Sequence, residues 1–260
     1  MIFYYTGTGN SWRAAQQLAA ATGDRHVVSI PRAIADGGYE YQIADGEPVG
    51  FVFPVYFYTL PSAVENFLHL LILDYTADPY VYGVITCGER IGNAGSVLAD
   101  RLKKLGLRLN ASFGLVMPNN SIPWYAADTG AQAEMMLKDA DERLIKIGSA
   151  VQDREERREK DLCGPQPAFH TALAAGAYRK ARRTARFSAD DHCCGCGDCV
   201  RACPDRVIRL EQGRPVWSED QCSLCLACMN ICPTQSLCYD GTAGKGGQWF
   251  EPQYRSSLRD

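Results

Sequence analysis

Eight of the twelve cysteines fall in two runs of a single spacing. Cys193, Cys196, Cys199 and Cys203 lead into Pro204; Cys222, Cys225, Cys228 and Cys232 lead into Pro233. Each run reads C-x2-C-x2-C-x3-C-P, which lets three thiolates wrap one face of an iron–sulfur cubane while the fourth leaves the loop. Structural zinc usually pairs two C-x2-C units across a spacer. Here three cysteines stand in tandem and a fourth precedes proline, so iron–sulfur chemistry is expected. Disulfides suit neither this spacing nor an N-terminus, MIFYYTGTGN, without a basic segment and cleavable apolar core.

The doubled run is similar to that of bacterial two-cluster ferredoxins. That resemblance implies two [4Fe–4S] clusters with exchanged fourth ligands. One takes Cys193, Cys196, Cys199 and Cys232; the other takes Cys222, Cys225, Cys228 and Cys203. Cys194, beside a ligand, reads as a non-ligand, and Cys238 as a small strand hydrophobe.

The elements that must carry this chemistry come in two styles. Met1–Tyr5 is a short apolar and aromatic run, a buried strand. The polar loop Thr6-Gly7-Thr8-Gly9-Asn10-Ser11 follows, then a helix from Trp12 to Ala21 with Ala14, Ala15, Leu18 and Ala19 on one side. A strand, a glycine loop and a helix N-terminus together make an anion site: amides point into the loop, the hydroxyls of Thr6, Thr8 and Ser11 add donors, and Gly7 and Gly9 admit a close phosphate. An ordinary turn with a capped helix reads equally well from the loop alone. A dinucleotide fingerprint is excluded by the missing third glycine, and a Walker loop by the missing Gly-Lys-Ser/Thr ending.

Further strands are expected at Val27–Ile30, Pro48–Pro54, Tyr80–Thr86 and Leu107–Met117, with helices at Pro61–Leu73 and Asn93–Leu105. Such alternation implies a doubly wound α/β sheet, whose ligands bind beyond the carboxyl ends of its strands. Three loops lie there: Thr6–Ser11, the aromatic Val55–Leu60, and the glycine-rich Thr86–Gly95. A phosphate cradle, an aromatic face and an amide-rich loop suit a flavin mononucleotide.

FYYTGTGNS, PVYFYTLPSAVENFL, TCGERIGNAGSVLADRLKKLGL and MPNNSIPWY, with the eight cysteines, resemble the bacterial flavodoxin–ferredoxin fusion family (EFR-type ferredoxins). The resemblance implies a flavodoxin-like five-stranded parallel sheet of order 2-1-3-4-5, followed by a small α+β domain of the two-cluster ferredoxin type. It also implies FMN, with Thr6, Thr8, Gly9, Asn10 and Ser11 on the phosphate. Tyr56 or a neighbouring aromatic would cover the ring, and Thr86, Cys87, Gly88 and Asn93 would line the other side. Cys87 reads as a small apolar liner rather than a redox thiol.

A net charge of −3 does not make nucleic acid the default partner. No apolar run is long enough for a membrane helix, and the cysteine usage fits a reducing cytoplasm. Thr129–Lys160 is expected as one long helix ending in the charged QDREERREKD. The basic YRKARRTARF follows, either a solvated linker helix or a dock for an acidic carrier. The expected organisation is a flavin domain over 1–160, a basic linker over 161–189, a cluster domain over 190–240 and a loop-like tail over 241–260. The expected function is electron relay between FMN and two clusters, with redox proteins as partners. A flavin oxidoreductase with its own small substrate and an oxygen or redox sensor are the alternatives.

Overall fold

The computed structural model describes residues 1–258. In chain order the first half contains β1 (Ile2–Tyr4), α1 (Asn10–Thr22), β2 (Val27–Ser29), α2 (Ile30–Asp36), β3 (Glu40–Gln42), β4 (Val49–Pro54), α3 (Ser62–Leu70), β5 (Ile72–Asp74), β6 (Val81–Cys87), α4 (Ala94–Lys104), β7 (Leu109–Val116) and α5 (Gly130–Gln152). Five of the strands form one parallel sheet in the order β2-β1-β4-β6-β7. Counted along the sheet strands, that is the flavodoxin-like order 2-1-3-4-5.

The central strands are buried on both faces, which is why β4 and β6 are nearly continuous apolar runs. Strand alternation sends Ile2, Val52, Val84 and Phe113 to one face, under Leu18 of α1 and Leu144, Ile147 and Val151 of α5. Phe3, Phe51, Phe53 and Ile85 point to the other, under Phe67 of α3 and Leu98 and Leu102 of α4. Each such side chain contributes about 1.5–3 kcal/mol of burial. At Gly148 of α5 a Cβ would lie 2.7 Å from the Cβ of Ala21, so it is the point where α5 closes on α1.

Two expectations are corrected. The helix over 61–73 stops at Leu70, because Ile72–Asp74 pairs with Glu40–Gln42 as a separate two-stranded parallel ribbon. The long helix ends at Gln152 rather than Lys160. Arg154 takes a left-handed turn (φ 52°), and the charged stretch then runs extended beside β7. There the Ser112 amide donates to Arg157 O at 2.8 Å, and the Glu159 amide donates to Ser112 O at 3.0 Å.

The second half contains α6 (Pro167–Ala181), β8 (Phe187–Ala189), α7 (Asp198–Arg201), β9 (Ile208–Glu211), β10 (Arg214–Trp217), α8 (Ala227–Ile231), β11 (Leu237–Tyr239) and α9 (Pro252–Ser257). β9 and β10 form a hairpin, turning at Gln212 and Gly213, both with positive φ. Cys238 sits in β11, paired with β8. The two halves share apolar core: Ala202, Cys225, Ala227, Ile231 and Phe250 pack into the α3/α4 face of the large sheet's core.

Candidate functional site

The Thr6–Ser11 loop leaves β1 at the carboxyl end of the sheet and enters α1. Its polar side chains are spoken for. Thr6 Oγ1 accepts from the Gly9 amide at 3.0 Å, and Thr8 Oγ1 accepts from Asn120 Nδ2 at 2.6 Å. Asn10 Nδ2 donates to Pro118 O at 2.9 Å, and Ser11 Oγ shares a 2.8 Å hydrogen bond with Thr86 Oγ1. The backbone is not. Among the described residues the amides of Gly7, Thr8, Asn10, Ser11 and Trp12 find no acceptor, although Gly7 to Ser11 are buried. Five unpaired amides at a helix N-terminus fit an anion, and the phosphate end of a flavin nucleotide is suited to them.

Those amides face a cleft lined by the loop and by Val55, Tyr56, Thr86, Cys87, Gly88 and Asn119–Ser121. The cleft holds about 60 Å³, room for about two waters at roughly 30 Å³ each. That volume fits a small anion, and a ring system would extend beyond it.

The predicted residues divide. Thr6, Thr8, Asn10, Ser11, Tyr56, Thr86, Cys87 and Gly88 come together around the cleft. Gly9 lies behind it, left-handed at φ 103°, where a Cβ would meet the Cβ of Glu251 at 2.4 Å. Asn93 stands outside, preceding α4, with its amide on Thr171 Oγ1 of α6 at 3.3 Å. The close approach at Gly7 is also different from the one expected. A Cβ there would lie 2.8 Å from the Cβ and 3.0 Å from the carbonyl of Cys225, in the second cysteine run.

The aromatic loop is a tight turn, closed by reciprocal backbone hydrogen bonds between Tyr56 and Thr59 at 3.1 and 3.0 Å. Both central residues, Phe57 (φ 49°) and Tyr58 (φ 62°), are left-handed, which costs about 1–3 kcal/mol each. Neighbours hold them there. Phe57 stacks on Tyr178 at 5.4 Å and meets Trp124 edge-on at 5.8 Å. Tyr58 O accepts from Thr171 Oγ1 at 2.9 Å. Phe57 is thus core of the second half, and Tyr56 is the aromatic of the cleft. The Tyr56 hydroxyl is buried without a partner.

Sequence reasoning missed Asn119, Asn120 and the tail. The Trp249 Nε1–H donates to Asn10 Oδ1 at 2.7 Å, and the Glu251 amide donates to Thr8 O at 2.7 Å. The Glu251 carboxylate, 1% exposed, takes the Tyr254 amide at 2.7 Å and Arg13 Nη1 at 3.2 Å. The expected loop-like tail is in fact a fitted backing to the anion loop, up to residue 258.

The cysteines gather as two crossed sets. Cys232 lines the same small cavity as Cys193, Cys196 and Cys199. Cys203 neighbours Cys222, Cys225 and Cys228 closely enough to interact electrostatically with each. Among the described residues no three of these sulfurs lie within 4.8 Å of one another. Burial pushes the Cys199 thiol up to about 11 and the Cys222 thiol up to about 12, and it raises Cys225 and Cys228 well above the ordinary range. Thiolates there need a metal's positive charge to offset desolvation. Cys232 differs: burial pushes it up, but hydrogen bonding to Ser236 and Thr234 more than offsets this, leaving it lowered.

The basic stretch is partly absorbed at the junction. Arg182 Nε donates to Cys222 O at 2.7 Å, and Arg186 pairs with Asp240. Asp205, held by Ser223 Oγ at 2.8 Å, is raised by burial. A cavity of about 290 Å³ opens here beside Cys222, Asp205, Arg182 and Arg206.

A flavodoxin-like sheet with an anion loop, joined to two crossed sets of four cysteines, defines a redox protein of iron–sulfur type. Comparison with known proteins agrees. A family model described as 4Fe-4S dicluster domain matches residues 192–237. A ferredoxin of Methanothermococcus thermolithotrophicus is 38% identical over 50 residues, covering 18% of this chain and 83% of that protein. Through that segment the chain belongs to the 4Fe–4S ferredoxin family, and residues 192–237 are a ferredoxin-type electron-transfer domain, which implies redox partners.

Among the solved structures that resemble the chain are the following two. The Trp repressor binding protein of Bacillus subtilis has a TM-score of 0.36 at 11% identity, over 59% of this chain and 97% of that one. The rubredoxin oxygen:oxidoreductase of Desulfovibrio gigas has a TM-score of 0.29 at 16% identity, over 57% and 36%. Among the described residues no helix is long and apolar enough to cross a membrane.

Proposed function

We propose that the chain is an electron-transfer flavo-iron–sulfur protein, a flavodoxin–ferredoxin fusion of the kind its motifs resemble. FMN would bind at the Thr6–Ser11 loop. One [4Fe–4S] cluster would bind Cys193, Cys196, Cys199 and Cys232, and the other Cys222, Cys225, Cys228 and Cys203. The carrying observation is the set of unpaired loop amides opening on a cleft that the ferredoxin-type half backs directly. A bound flavin supplies the ability to take electrons singly or in pairs, whereas each cluster passes them singly. On one chain, effective concentration replaces encounter. The chain's own residues bind and orient. Loop amides would take the phosphate, Tyr56 and Cys87–Gly88 would flank the mouth, and Asn120 fixes the Thr8 hydroxyl. The reducing cytoplasm suits the twelve cysteines.

Anaerobic preparation tests this. About eight iron per chain with one FMN is expected, and Ser11→Glu should expel the flavin by like-charge repulsion while the iron stays. Zinc in place of iron, or flavin retained by Ser11→Glu, would refute the corresponding half.

A further inference from the structure

The two cysteine sets stand in different surroundings. Cys225 and Cys228 are buried, and Cys225 lies against the anion loop, with its Cβ 2.8 Å from where a Gly7 Cβ would be. The Tyr56 hydroxyl is 3.2 Å from that same point. Asn230, on α8 just past Cys228, locks this arrangement. Its Nδ2 donates to Asn120 O at 2.9 Å and its Oδ1 accepts the Trp249 amide at 3.0 Å. The other set is open on one side, although Cys199 and Cys232 are buried. Cys196 is exposed and Cys193 half-buried, with Cys194, His192 and Asp191 exposed around them. Its cavity is lined only by residues of the ferredoxin-type half. Between the sets, Cys199 of α7 and Cys228 of α8 are buried near neighbours.

We propose that the relay has a fixed order. A small one-electron carrier protein meets the Cys193/Cys196/Cys199/Cys232 cluster, that cluster exchanges electrons with the Cys222/Cys225/Cys228/Cys203 cluster, and only the latter exchanges with the flavin. This rests on the function proposed above. At each step one electron leaves the reduced centre, which returns to its oxidised state, and reduces the next. The reduced carrier is the external reductant and is itself oxidised. Two passages, with protons from water, deliver the pair that a fully reduced flavin holds. Gly7 is the positioning residue of the inner step, because its missing side chain sets the approach of the Cys225 loop.

The order is read by stopped flow on the whole chain, with a reduced small ferredoxin and, separately, dithionite as donors. In Cys196→Ser, with about four iron per chain remaining, carrier-driven bleaching of the flavin band should slow about tenfold or more, as specific docking gives way to unspecific encounter. Dithionite, small enough to reach either set, should bleach it as before. In Gly7→Ala, which keeps all eight cysteines, flavin bleaching should slow more than the clusters' own.

Undiminished carrier-driven bleaching in Cys196→Ser overturns the order and moves entry to the inner set, through the cavity beside Cys222 and Arg182. Equal slowing of flavin and clusters in Gly7→Ala overturns the inner step. A wild-type flavin that stays oxidised beside reduced clusters overturns the relay itself, and with it the order.

Discussion

Trp249→Phe isolates the contact between tail and anion loop. The substitution keeps an aromatic ring in the 9%-exposed site but removes the Nε1–H that reaches Asn10 Oδ1 at 2.7 Å. Asn10 is itself only 9% exposed, so no water readily replaces the donor. A buried acceptor left without its partner costs about 1–3 kcal/mol. Asn10 begins α1 and holds Pro118 O through its amide, so the loss lands on the loop whose amides would take the phosphate. If the loop must then be re-ordered when flavin binds, that cost appears in affinity: roughly 5- to 140-fold in Kd at about 1.4 kcal/mol per decade. The assay is titration of apoflavin protein with FMN, followed by quenching of free-flavin fluorescence, with iron content as the control for folding. A weaker Kd with full iron is expected. An unchanged Kd would refute the reasoning, since the tail would then be packing on a loop already fixed without it.

Gly7→Ala should lower thermal stability by about 1–3 kcal/mol, the cost of overpacking, because its Cβ would fall 2.8 Å from that of Cys225; a melting curve reads this. Cys87 should resist alkylation at neutral pH, because burial pushes its thiol up to about 12 despite the Glu89 amide, whereas exposed Cys194 should react; mass spectrometry of the alkylated peptides decides. Chelating the iron should strip hydrogen-exchange protection from residues 190–240 first, since that small half leans on its clusters for folding, while the five-stranded sheet stays protected.

The parts of the molecule written in local pattern could be read from the sequence. Pro48–Pro54 is apolar throughout because a central parallel strand has no solvent face, and that signal survives without a structure. The two cysteine runs carry their chemistry in their spacing. The strand order was available only through resemblance, since nothing local says which strand lies beside which. Residues 154–160 misled because charge on every position suits a solvated helix and a solvated edge segment equally; the left-handed Arg154 that separates them has no glycine to announce it. Phe57 and Tyr58 hide in the same way, in a left-handed turn built without glycine or asparagine and held by Tyr178 and Thr171 from far along the chain. Gly7 was visible as a glycine, but its reason was not. The crowding atom belongs to Cys225, and only the folded chain brings them together.

The extended segment beside β7 has a consequence for how copies of this protein meet. An outermost strand normally offers its free amides and carbonyls to any passing chain, and sheets grow into aggregates by that route. Here Arg157 and Glu159 occupy the backbone of Ser112, and the Arg158 guanidinium takes Leu109 O at 3.0 Å. A strip of mixed charge thus covers the first half of β7 on one flank of the sheet. The opposite flank is the three-residue β2, too short to template a neighbour.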